Sequence, residues 1–110
     1  MTIIVNINDW LVDDDVPAGP PSLRRNALRA AQFIEYGGPL EKLFGRETLV
    51  ECRRRIGGKS CTGWMWVMKQ GDNRIQAHCP TCHEVEMVIS GWEETLFAEG
   101  PMEAVPMTDD

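Results

Sequence analysis

Cations are missing from both ends of this 110-residue chain: no Lys or Arg precedes Arg24 and none follows Arg74. The N-terminus therefore lacks a basic segment, and its apolar start is broken by Asn6, Asn8 and Asp9, so it does not read as a secretory signal. Nothing approaches the run of about 20 apolar residues that a membrane-spanning helix requires. Histidine occurs only at 78 and 83, no Ser or Asp has motif context, and no glycine-rich loop precedes a helix. These shortages point away from triad hydrolysis and phosphate-loop chemistry, and more generally from an enzyme. The expected compartment is the reducing cytoplasm, where cysteines persist as thiols and an even number favours metal binding over disulfides.

The cations that are present lie together. Between Arg24 and Arg74, eleven Lys and Arg face five acids, leaving +6, while the flanks hold twelve acids and bring the chain to −6. A net-acidic chain is a poor nonspecific binder of nucleic acid, yet its basic middle keeps a local anion site open.

Along the chain, Ile3, Val5 and Ile7 read as a short strand, ended by Asp13-Asp14-Asp15 and Pro17-Ala18-Gly19-Pro20-Pro21. The three carboxylates lack the spaced oxygen ligands of a calcium loop and read as a solvated turn. Ser22 is a good N-cap, and Leu23, Ala27, Ala30 or Ala31, and Ile34 recur at helical spacing up to Gly37-Gly38. Pro39 is suited to open a second short helix with Leu40, Leu43 and Phe44 inward and Gly45 at its end. From Thr48 the pattern becomes β. Trp64 to Met68 and Arg74 to His78 form a hairpin across Gly71-Asp72-Asn73, and Val85, Met87 and Ile89 mark a third strand closed by Gly91.

The expected fold is α+β: a small antiparallel sheet, an N-terminal strand and one or two packed helices. Residues 1–98 make one domain, followed by an acidic tail, 99–110, expected to be disordered.

Four cysteines fall at the corners of this pattern. Cys52 and Cys61 bracket the loop Arg53-Arg54-Arg55-Ile56-Gly57-Gly58-Lys59-Ser60, and Cys79 and Cys82 bracket Pro80-Thr81 between two strands. A two-residue spacer lets one turn point both sulfurs at one ion, and tetrahedral zinc takes four such ligands from two corners. The arrangement from about Leu49 to Trp92 resembles a zinc ribbon, on the strength of Cys79-Pro80-Thr81-Cys82 and the order strand, knuckle, strand. It departs from the usual ribbon in the long first loop and in having His83 where a knuckle commonly places Gly. That resemblance implies a structural Zn²⁺ held by Cys52, Cys61, Cys79 and Cys82, and carries no particular activity.

Other readings share these letters. His78 or His83 can replace a cysteine as ligand. Cys79-Pro80-Thr81-Cys82-His83 also spells the attachment pattern of c-type haem, but this leaves Cys52 and Cys61 unexplained. A thiol redox protein using Cys79 and Cys82 would need a helix after the pair, where Val85, Val88 and Ile89 favour a strand.

Trp64 and Trp66 share one side of their strand, near the basic loop. Rings interleaved with cations stack bases, so Arg53, Arg54, Arg55, Lys59, Trp64 and Trp66 form a candidate nucleic-acid or anion contact. The same arginines and lysine equally serve to offset the charge of a four-thiolate site. The same rings serve equally as core beneath the Ser22–Tyr36 helix, the favoured place on so small a sheet. The sequence thus reads as a non-enzymatic, zinc-stabilised interaction or adaptor module whose partner is another protein, with nucleic acid as the alternative and no membrane.

Overall fold

The structure, a computed structural model, describes residues 2–13, 16–17 and 21–99. It is α+β, as expected. Strand β1 (Ile3–Asn6) leads through a 3₁₀ turn (Ile7–Trp10) into a two-stranded ribbon of β2 (Leu11–Asp13) and β3 (Val16–Pro17). Helix α1 (Pro21–Gly37) follows, then β4 (Gly45–Glu51), the ribbon β5 (Arg55–Ile56) and β6 (Lys59–Ser60), and β7 (Trp64–Lys69), β8 (Ile75–His78) and β9 (Val85–Ser90). Two 3₁₀ turns, Trp92–Glu94 and Leu96–Glu99, end the described chain. The remainder of the acidic tail, and the expected turn at Asp14-Asp15, lie outside the described residues.

Five strands form one sheet in the order β1, β9, β8, β7, β4. Its consecutive members pair antiparallel, while the N-terminal strand enters as a parallel edge, Ile3 opposite Met87 and Val5 opposite Ile89. The sheet is therefore mixed. Helix α1 covers one face. Its Ala27, Ala30, Ala31, Phe33 and Ile34 are buried, a stripe at the 3.6-residue period, and the small alanines let its backbone approach the strands. Beneath it lie Met65, Val67, Ile75, Ala77, Met87 and Ile89, each essentially inaccessible. The helix opens at Pro21, where the missing N–H costs nothing, one residue before the expected Ser22 cap.

No second helix forms at Pro39. Leu40 and Phe44 close successive turns on Gly37 and Glu41, and Leu43 takes a left-handed φ of 71°. The amide of Leu43 then donates to the Lys69 carbonyl and the amide of Lys69 to Phe44, so pairing with β7 claims this backbone before helical bonds can. Leu43 and Phe44 are consequently exposed and β4 starts at Gly45.

Trp64 and Trp66 are also not core. Their strand alternates exposed and buried positions, and the buried set under α1 is Met65, Val67 and Lys69. Lys69 is sheltered because its Nζ donates to the Gly38 carbonyl at 2.6 Å and stands 4.6 Å over the Trp92 ring. Trp92, by contrast, is buried as a packing residue, and its Nε1 donates to the Asn73 carbonyl.

A charged cluster crosses the helix-sheet interface. Glu86 is buried beside a bulge in the β8–β9 pairing, where Val85, Glu86 and Met87 do not simply face in, out and in. Its carboxylate accepts from Arg29 Nε at 2.6 Å and Nη2 at 3.0 Å and meets Arg53 Nη2 at 3.1 Å, while Arg29 also donates to the Glu51 carbonyl. Cutting away one partner of such a sheltered pair strands the other. Arg29→Ala should lower stability by about 3 kcal/mol, read as a drop in urea midpoint at constant slope, and Arg29→Met with Glu86→Leu should regain most of it; an unchanged midpoint for the single variant would refute the role given to this pair.

Candidate metal centre

The eight residues between Cys52 and Cys61 do not spread the two sulfurs apart, because they fold outward as their own hairpin. Arg55 pairs with Ser60 and Ile56 with Lys59, across Gly57 and Gly58 at φ of 59° and 83°, values that glycine adopts without steric cost. The amide of Cys61 donates to the Arg54 carbonyl and that of Cys52 to Gly63, so both ends of the excursion return to one place. The second corner is tighter. The Cys79 amide donates to the Glu84 carbonyl, and the His83 amide to the Cys79 carbonyl at 2.7 Å. His83 has φ of 63°, taking the left-handed place where a knuckle commonly has glycine.

These corners bring the ligand atoms of Cys52, Cys61, Cys79 and Cys82 within 4.8 Å of one another. The cysteines are free thiols, with Cys52 and Cys79 buried and Cys61 and Cys82 half-buried. Sulfurs placed tetrahedrally at about 2.3 Å around one ion stand about 3.8 Å apart. The Cys52–Cys82 and Cys61–Cys79 sulfurs lie at 3.8 and 3.7 Å. The group is thus dimensioned to hold one metal ion. Neither histidine belongs to it among the described residues.

Backbone amides turn toward the sulfurs. Arg54 N–H and Gly63 N–H each stand 3.5 Å from the sulfur two residues earlier, Cys52 and Cys61. At Cys79, burial opposes ionisation, but the amides of Cys82 and Thr81 outweigh it and bring the thiol down to about 7. Burial dominates at Cys52 and pushes its thiol up to about 12. The two buried thiols are therefore shifted in opposite directions.

The candidate anion contacts are all exposed, and three of the four cations have partners within the chain. Arg53 is spent on Asn26 and Glu86, Arg54 on Glu84 at 2.9 Å, and Arg55 on Ser60 and the Gly58 carbonyl within its own hairpin. Lys59 is exposed. Arg53 and Arg54 line a cavity of roughly 300 Å³ with Cys52, Glu84 and Glu86, whereas Trp64 lines a different one with Glu51, Ser60, Cys61 and Thr62. Arg53, Arg54 and Arg55 thus hold partners within the chain while staying exposed. His78 lies on β8 opposite Trp66, with its Nδ1 buried and unpartnered, and burial lowers its pKa. After Cys82 the chain enters β9 rather than the helix that a redox dithiol would use to lower a thiol pKa.

Gly63 is the residue of the site that sequence reading missed. A Cβ there would stand 2.8 Å from Cys79 Sγ and 2.6 Å from Thr81 Oγ1, so the two corners can close only over a bare backbone. A single glycine after Cys61-Thr62 carries no signal of that contact, which exists only between the corners. Among the described residues, no helix is long and apolar enough to cross a membrane.

Gly63→Ala should therefore weaken metal uptake by at least about tenfold, since a misplacement worth 1.4 kcal/mol already does so, while Gly58→Ala, which faces open space at its strained φ, should leave uptake unchanged and cost only stability. Competition against a chromophoric chelator measures both, and equal uptake by Gly63→Ala and the parent would refute the close approach. Comparison with protein-family models, with curated proteins and with solved structures finds no match to this chain.

Proposed function

We propose that this chain is a small non-enzymatic protein whose fold is locked by one structural Zn²⁺ on Cys52, Cys61, Cys79 and Cys82, and that it works in the cytoplasm by binding another protein. The observation that carries the metal reading is the convergence of four free sulfurs within 4.8 Å of one another, with the Cys52–Cys82 and Cys61–Cys79 pairs at the 3.8 and 3.7 Å of a tetrahedral thiolate shell. The donor set fits: four soft sulfurs from two corners, with amides aimed at three of them. The strand, knuckle, strand order at Cys79–Cys82 further supports a zinc-ribbon-like site.

The chain's own residues divide the work. Cys52 and Cys61 secure the end of β4 and the β5–β6 hairpin, Cys79 and Cys82 secure the β8–β9 turn, and Gly63 lets them meet. An ion bound there supplies a crosslink between segments 27 residues apart in sequence at Cys52 and Cys79. Four sulfurs close the shell and leave no position for substrate, which supports a structural rather than a catalytic metal. Nucleic acid is the second reading, supported by the exposure of Trp64 and Trp66. It is weakened by the internal ion pairs of Arg53 and Arg54.

Native mass spectrometry of the purified chain should give one zinc per molecule, colourless in the visible range where an iron-thiolate site would absorb. Chelation, or Cys79→Ser, should remove the ion and the cooperative thermal transition together, because binding energy at such a site is folding energy. A metal-free chain that melts as the loaded one does would overturn the structural role.

A further inference from the structure

The face of the sheet turned away from α1 carries two tryptophans and two carboxylates in register. Glu51 lies directly opposite Trp64, and Glu47 directly opposite Trp66, across the β4–β7 pair. Directly opposed residues share a face with Cβ atoms about 5 Å apart. Trp64 and Trp66 are 42% and 37% exposed, and Leu49, between the two glutamates, is 76% exposed.

The groups on this face are unspent. Among the described residues three rings, Phe33, Tyr36 and Trp92, carry a cation of the chain itself at 4.6–5.3 Å, and neither Trp64 nor Trp66 does. Glu84, Glu86 and Asp72 are ion-paired, while the carboxylates of Glu47 and Glu51 make no ion pair among the described residues. Indole faces beside free carboxylates attract a cation twice over, by the ring quadrupole and by charge.

We propose that this face is the docking site for a lysine- or arginine-rich segment of a partner protein, whose cationic side chains stack on Trp64 and Trp66 and are neutralised by Glu47 and Glu51. It deepens the reading of the chain as a protein-binding module and rests on it. Charge selects the occupant. A nucleic-acid strand would bring phosphates against the two glutamates, and the chain's own segment 99–110 offers only acids, Glu99, Glu103, Asp109 and Asp110. A second copy carries the same −6, with its Arg53 and Arg54 already paired. The irregularity between Glu47 and Glu51 interrupts the β4 edge, which favours docking through side chains on the face over addition of a sixth strand.

The test titrates the zinc-loaded full chain, followed by tryptophan fluorescence and calorimetry, with a short Arg/Lys-rich peptide, a Glu/Asp-rich peptide of equal length and single-stranded oligothymidine. The basic peptide should bind at low salt and the other two should not. Trp64→Ala and Trp66→Ala should each weaken it by about three- to tenfold, and Glu47→Gln with Glu51→Gln should flatten its salt dependence. All four positions are exposed, and zinc content and melting of the same samples certify their folds. No binding of the basic peptide by intact zinc-loaded protein, equal binding by the double tryptophan variant, or oligothymidine binding in its place would overturn the proposal. A chain that takes up no zinc yet binds the peptide through these residues would instead overturn the metal reading and leave this one standing.

Discussion

Four sulfurs meeting at one end of the sheet are the constraint on which the rest of this small fold depends. Cys52 leaves β4, Cys61 returns from the β5–β6 hairpin, and Cys79 and Cys82 sit in the turn between β8 and β9. Their convergence within 4.8 Å fixes where three separate stretches of chain must pass. A domain of this size buries a smaller fraction of its surface than a large one, so where the chain segments meet at a sheet end matters in proportion. The packing agrees with that demand. Gly63 gives up a side chain to let the corners close, and the backbone amides of Arg54 and Gly63 face the sulfurs of Cys52 and Cys61.

The far side of the constraint is what it frees. With the corners secured by the cysteines, the arginines of the first loop attach it to its neighbours: Arg53 to α1 and β9, Arg54 to Glu84, Arg55 within the hairpin. Three of the four cations of this exposed loop are thus already partnered within the chain. The sheet then has two unlike faces. One is sealed by α1 and its alanines, and the other leaves Trp64, Trp66 and Leu49 in water beside unpaired carboxylates.

Local patterns recovered much of this architecture. The helix over Pro21–Gly37, the hairpin of β7 and β8, strand β9 and its stop at Gly91 each follow from a period and a punctuating residue. The failures share a physical cause. The helix expected at Pro39 lost to backbone pairing with Lys69, a partner 25 or more residues away. The alternation of Val85, Met87 and Ile89 gave no sign that Glu86 beside the bulge is buried and met by Arg29 from α1. For Trp64 and Trp66 the period was legible but not which side the helix would cover.

By itself the sequence determined most of the elements and the four candidate thiols: residue type and spacing select strand, helix and turn locally, and the chemistry of thiols in pairs at two turns points to a shared metal. Only the tertiary structure decided the rest. Whether the eight-residue spacer could close, which face of the sheet stayed open, and which charges were already paired are all questions of distance between segments remote in sequence. No local propensity encodes such distances, because they arise when the core forms and the two corners are carried together.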